Sequence, residues 1–164
     1  MGGRWWRHLA TDDTAVRRLF GAEGLDRVGR AITEGERAHR GQVRFAVEAA
    51  LPLRSVFRRV SPRARALEVF SLSRTWDTEE NCGVLVYVLV ADRKVEIIAD
   101  RGIHRSVAAG TWEGVCRTME AAFREARFAE GAETGVREIS RILAEQFPAS
   151  GERSNELPDA PIVL

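Results

Sequence analysis

The chain has 164 residues, enough for one domain and short for two. Apolar residues make up 45% and charged residues 30%, with a formal net charge of +1, so no global field selects a polyanion and nucleic acid is not an expected partner. Cys82 and Cys116 have neither metal-ligand spacing nor the density of a disulfide framework; no apolar run is long enough to span a membrane; and the opening residues lack the apolar core of a signal peptide. The expectation is a cytoplasmic protein, at most peripheral at the inner membrane.

Asp12 and Asp13 are placed to cap a short helix carrying Val16, Leu19 and Phe20 and ending at Gly21, so that residues 1–22 read as an N-terminal helical extension. Leu25, Val28 and Ile32 follow the helical period over 23–38. Residues 42–49 alternate, Val43, Phe45 and Val47 against Arg44, Ala46 and Glu48, which predicts a half-buried strand. A short amphipathic turn over 53–59 follows Pro52. Ser61-Pro62 then starts a helix whose apolar stripe is read as Ala66, Leu67 and Phe70.

Residues 84–90 are apolar without interruption and rich in β-branched side chains, the pattern of a central strand covered on both faces. The tight connection Ala91–Lys94 and the strand 95–99 complete a hairpin. Trp112, Val115, Cys116, Met119, Ala122, Phe123 and Ala126 form a helical stripe, and a last helix is expected after Gly131, with Val136, Ile139, Leu143 and Phe147 inward. Residues 149–164 read as a loose tail whose final Pro-Ile-Val-Leu could dock back. Strands flanked by helices before and after predict an α/β domain over 23–148: a three-layer α/β/α sandwich with a small mixed sheet built around the hairpin.

The stretch from Asn81 to Ile97, an Asn-x-Gly followed by an aliphatic run, Asp-Arg-Lys and a second strand, resembles the signature hairpin of TPM domains. The strand at Gln42–Glu48 and the glycine turn Asp100-Arg101-Gly102-Ile103 resemble the flanking parts of that family, and the likeness extends over about residues 23 to 147. The family includes thylakoid-lumen acid-phosphatase-like proteins and several bacterial proteins. The resemblance implies a three-layer fold, binding of calcium or other divalent ions in some members, and acid phosphatase activity in plastid members. Many bacterial members carry a signal peptide and a membrane anchor; this chain resembles a shorter, unanchored branch.

In an antiparallel hairpin the start of one strand and the end of its partner share a sheet edge. Asp77, Glu79, Glu80 and Asn81, in the loop entering the central strand, are therefore expected to converge with Asp100 at the end of the next. Hard oxygen donors gathered there suit Ca2+ or Mg2+; the competing reading is a solvated acidic loop. Arg101 and His104 lie beside Asp100, where a metal-assisted phosphatase would use one to hold phosphate oxygens and the other as acid or base. Asp92 falls in the hairpin turn, where aspartate serves local backbone bonding, at the opposite edge of the sheet. Five arginines between Arg54 and Arg65, with Arg4-Trp5-Trp6-Arg7, offer a surface for anionic lipid, against the plainer reading of a solvated helix face. The functional expectation is a divalent-cation-binding interaction module with a protein partner or a membrane surface; the alternatives are a metal-assisted acid phosphatase and a peripheral membrane protein.

Overall fold

The computed structural model describes residues 3–12, 14–151 and 155–164, with the side chain of Ala109 left out. Asp13, read above as a second cap, lies outside the described residues. The order is α1 (Gly3–Ala10), α2 (Thr14–Phe20), α3 (Gly24–Gly35), β1 (Gln42–Glu48), α4 (Leu53–Phe57), α5 (Pro62–Leu72), β2 (Gly83–Leu89), β3 (Lys94–Ala99), α6 (Arg101–His104), α7 (Ala109–Arg124), α8 (Phe128–Gln146) and β4 (Ile162–Val163). The sheet runs β3-β2-β1-β4, with β2 antiparallel to β3 and parallel to β1, and β1 parallel to β4.

Every residue of β2 is buried, so its alternating side chains need a cover on each face. Val84, Val86 and Val88 join Val43, Phe45 and Val47 in the larger core, closed by α2, α3, α7 and α8. Leu85, Tyr87 and Leu89 join Ala46 in a smaller one, closed by α4 and α5 with Trp5 of α1 at its margin. The three-layer sandwich is thus built from two unequal covers. Close helix contact on the thick side needs small residues: a Cβ on Gly131 would lie 2.7 Å from Ala122 Cβ, and one on Gly135 would run into Met119.

Several local expectations change. Gly131 does not precede the last helix; α8 begins at Phe128 and the glycine sits inside it, where α7 crosses. β1 is buried on both faces rather than one, because α5 brings Arg65 over Glu48. On α5 the inward residues are Ala66 and Val69, with Phe70 partly buried beside them, while Leu67 is exposed; the stripe keeps Ala66 and Phe70 and takes Val69 in place of Leu67. The end of the chain is not a loose tail: Gln42 Oε1 accepts the N–H groups of Glu156 and Leu157, and Ile162–Val163 pairs with β1.

Glu48 is 4% exposed and ends β1. Arg65 meets it with two bonds of 2.9 Å, and the Tyr87 hydroxyl donates to it at 2.5 Å. Burial and the Glu48 carboxylate push the Tyr87 pKa far up, so the phenol stays a donor. α1 is held differently: Arg4 and Arg7 bind Asp92 at 2.9 and 3.0 Å, Arg4 also donates to the Val60 carbonyl, and the His8 ring accepts the Leu51 N–H through Nδ1 at 2.9 Å. Nε2 of His8 faces Asp92 at 3.3 Å. Asp92 is therefore a structural anchor, and it does so at long range rather than through its own turn.

Burial lowers the His8 pKa below the ordinary imidazole value; Asp92 opposes the shift, and Arg4 and Arg7 add to it. The unfolded chain then takes up the proton first, so the contribution of α1 is complete above about pH 6.5 and falls as pH drops through the lowered value. Hydrogen exchange in α1, corrected for its intrinsic pH dependence, should speed up as pH falls below about 6.5, and His8→Gln should remove that dependence. Separately, Tyr87→Phe deletes a buried bond to a carboxylate and should cost about 2 kcal/mol in urea unfolding.

Candidate functional site

The amino end of β2 and the carboxyl end of β3 meet as expected. Gly83 O accepts the Asp100 N–H at 2.8 Å, and Asn81 O accepts the Gly102 N–H at 3.0 Å. The turn before β2 is fixed by Thr78, whose buried hydroxyl oxygen accepts the Cys82 N–H at 2.9 Å, and by Asn81 in the left-handed region at φ 52°. Asparagine tolerates that conformation better than most residues. The approach of the two segments is so close that a Cβ on Gly102 would lie 2.6 Å from Asn81 O and 2.8 Å from Glu80 O. A Cβ on Gly83 would collide with the Thr75 carbonyl. Gly102 thus admits two main-chain oxygens to the edge where Asp100 sits.

Asp100 is 7% exposed. Its Oδ1 accepts the Arg101 N–H at 2.7 Å as the cap of the short helix α6, while the buried Oδ2 has no hydrogen-bond partner among the described residues. The other carboxylates turn elsewhere. Asp77 pairs with Arg74 at 2.6 Å and Glu80 with Arg40 at 2.9 Å. Glu79 is exposed, and its N–H donates to Glu156 Oε2 at 2.8 Å. The structure brings the backbone of residues 80–81 to Asp100 but does not bring the carboxylates together: among the described residues no three His, Cys, Asp or Glu side chains are grouped to hold a metal ion.

Arg101 and His104 are both exposed on α6. His104 opens onto a groove of about 600 Å³ that runs along β3 between α5 and α7. The outward main chain of β3 is occupied there, with Arg63 donating to Ile97 O at 2.8 Å and Glu120 accepting the Val95 N–H at 3.2 Å. Cys116 also lines the groove, but burial, with Glu96 and Glu120 nearby, pushes its thiol up to about 12, so it is no nucleophile at neutral pH. The partners of Glu80 and Glu79 were not legible from the loop itself: Arg40 lies in the link between α3 and β1, and Glu156 in the stretch read as a tail. The Gly102 contact had a signal, a glycine directly after an Asp-Arg pair at a strand end.

The TPM domain matches residues 16–142, most of the chain. The chain belongs to the TPM domain family. Its hairpin, flanking strand and post-hairpin turn are the parts that the sequence resemblance rested on. The TPM fold here is similar to the solution NMR structure of the BA42 protein from the psychrophilic bacterium Bizionia argentinensis, with a TM-score of 0.76 and 26% identity over 87% of this chain and 94% of that one. No curated protein matches the sequence significantly. Among the described residues no helix is long and apolar enough to cross a membrane.

Because Gly102 must accommodate the Glu80 and Asn81 carbonyls, Gly102→Ala should displace the 78–81 turn and cost about 3 kcal/mol. Gly114, inside α7 with only the Arg117 side chain near its absent Cβ, is the control: Gly114→Ala should stabilise by up to about 1 kcal/mol. Urea unfolding of the two variants beside the parent chain checks both signs.

Proposed function

We propose that this TPM domain is a divalent-cation-binding interaction module whose ion is held at Asp100 against the 78–81 turn. The observation that supports the reading is the buried Asp100 Oδ2 without a partner. A buried carboxylate oxygen left unpaired costs free energy, and a cation supplies the missing charge and contact. The donors nearby suit a hard ion: the Asp100 carboxylate and the Glu80 and Asn81 carbonyls that crowd Gly102. Asp77 and Glu80 already hold arginines, so they stand at the rim rather than among the ligands. The chemistry a bound Ca2+ or Mg2+ supplies is charge neutralisation and ordering of the turn. The chain's own residues then present an ordered loop to a protein partner.

With a single buried carboxylate, affinity falls in the range of weak extracellular-type sites, a dissociation constant on the order of 10⁻⁴–10⁻³ M. Nothing at Arg101 or His104 favours hydrolysis over binding. A calcium titration followed by amide NMR should move residues 78–83 and 99–104 and leave α8 unchanged. Asp100→Asn should weaken binding at least about tenfold, while Asp77→Asn should change it little. Absence of shifts at millimolar ion, or an unchanged affinity in Asp100→Asn, would sink the assignment.

A further inference from the structure

We propose that the outer face of α1 and α4 is a docking surface for an anionic lipid membrane. The large exposed apolar side chains are distributed unevenly. Trp6 (56% exposed) and Leu9 lie on α1, Leu53 and Phe57 (72% exposed) on α4, and Leu67, Leu72 and Trp76 on or just after α5. These seven belong to the thin cover of the sheet and Val163 and Leu164 to its β4 edge; among the described residues the thick cover of α2, α3, α7 and α8 exposes none. α1 and α4 are in contact. On α1, Trp6 and Leu9 are three apart, and on α4, Leu53 and Phe57 are four apart, so each pair shares one helical face. Trp5 is partly buried against the smaller core and stacks on Trp6 at 4.1 Å between ring centroids, which holds the exposed ring outward.

The charge along α1 and α4 has one sign. From Gly3 to Thr11 and from Ala49 to Leu67 the sequence contains no Asp or Glu, and it contains seven arginines. Arg4 and Arg7 are engaged by Asp92. Arg54, Arg58 and Arg59 are exposed and make no ion pair among the described residues. Arg54 and Arg58 flank Leu53 and Phe57 on α4, and Arg59 follows in the left-handed region at φ 56°. Aromatic and aliphatic side chains that project from two short helices, ringed by unpaired arginines, match a headgroup layer: the rings enter the acyl boundary while the guanidinium groups stay with lipid phosphates. The face projects outward and none of the described grooves is lined by Trp6, Leu53 or Phe57. A planar partner needs no cleft; an acidic peptide would need one to bury these rings. The surface lies at the carboxyl end of β1, across the sheet from Asp100, and does not depend on the ion.

The test is cosedimentation of the full chain with phosphatidylglycerol vesicles and with neutral phosphatidylcholine vesicles. Binding should be confined to the anionic vesicles and reversed by salt. Arg54→Glu and Arg58→Glu should each reduce partition by roughly fivefold or more, and Phe57→Ser by roughly tenfold. All three positions are exposed, and unchanged urea unfolding certifies the fold of each variant. Leu72→Ser, at the far end of α5 from Arg54, Arg58 and Arg59, should bind like the parent chain. Equal partition onto both vesicle types, or anionic binding that survives all three substitutions, overturns the proposal. Binding to neither vesicle while a poly-glutamate peptide is bound assigns the face to an acidic protein and equally overturns it.

Discussion

The constraint on which the rest of this structure depends is the burial of β2 on both faces. A strand with no polar side exposes apolar surface in two directions, so the chain must supply two layers, and it does so unequally. The four helices of the thick side make one large core around Phe45, Met119 and Phe123. The thin side has only short helices, and its inner surface is completed by a polar device, the Glu48 carboxylate between Tyr87 and Arg65. Breaking such a buried pair by removing one partner leaves an uncompensated charge, so the two-point contact of Arg65 also fixes where α5 can sit along the sheet. The exposed leucines and aromatics of that layer follow from the same shortage of cover.

The opposite ends of the hairpin do different work. At its turn, Asp92 collects Arg4, Arg7 and His8, and so ties the first helix of the chain to the middle of the sequence. At its open end, main-chain oxygens and Asp100 crowd around Gly102. One aspartate is saturated by cations from the protein itself; the other keeps an oxygen without a protein partner. That difference, rather than the number of acidic residues in either loop, separates an anchor from a candidate ligand.

Much of this was legible in the sequence where pattern and physics coincide. The uninterrupted run at 84–90 and its hairpin partner set the sheet, Ser61-Pro62 set the start of α5, and the geometry of an antiparallel pair placed Asn81 beside Asp100. What could not be read depended on residues distant in the chain. The carboxylates of Asp77 and Glu80 do not gather because Arg74 and Arg40 claim them, and nothing in the acidic loop announces Arg40. Gly131 looks like a helix boundary in one dimension and is a helix–helix contact in three. On α5 the expected Ala66 and Phe70 do face the sheet, but Val69 takes the place expected of Leu67, in the orientation that lets Arg65 reach Glu48. Ile162–Val163 is too short for any periodicity, and only its pairing with β1 makes it a strand.

That last strand has a practical consequence. β3 is guarded by side chains along its free main chain, but the outer side of β1 is covered, among the described residues, only by the segment from Glu156 to Leu164, where the Leu164 N–H donates to Val47 O at 2.9 Å. Removal of the segment from Glu156 to Leu164 would uncover an apolar strand edge, a template for self-association.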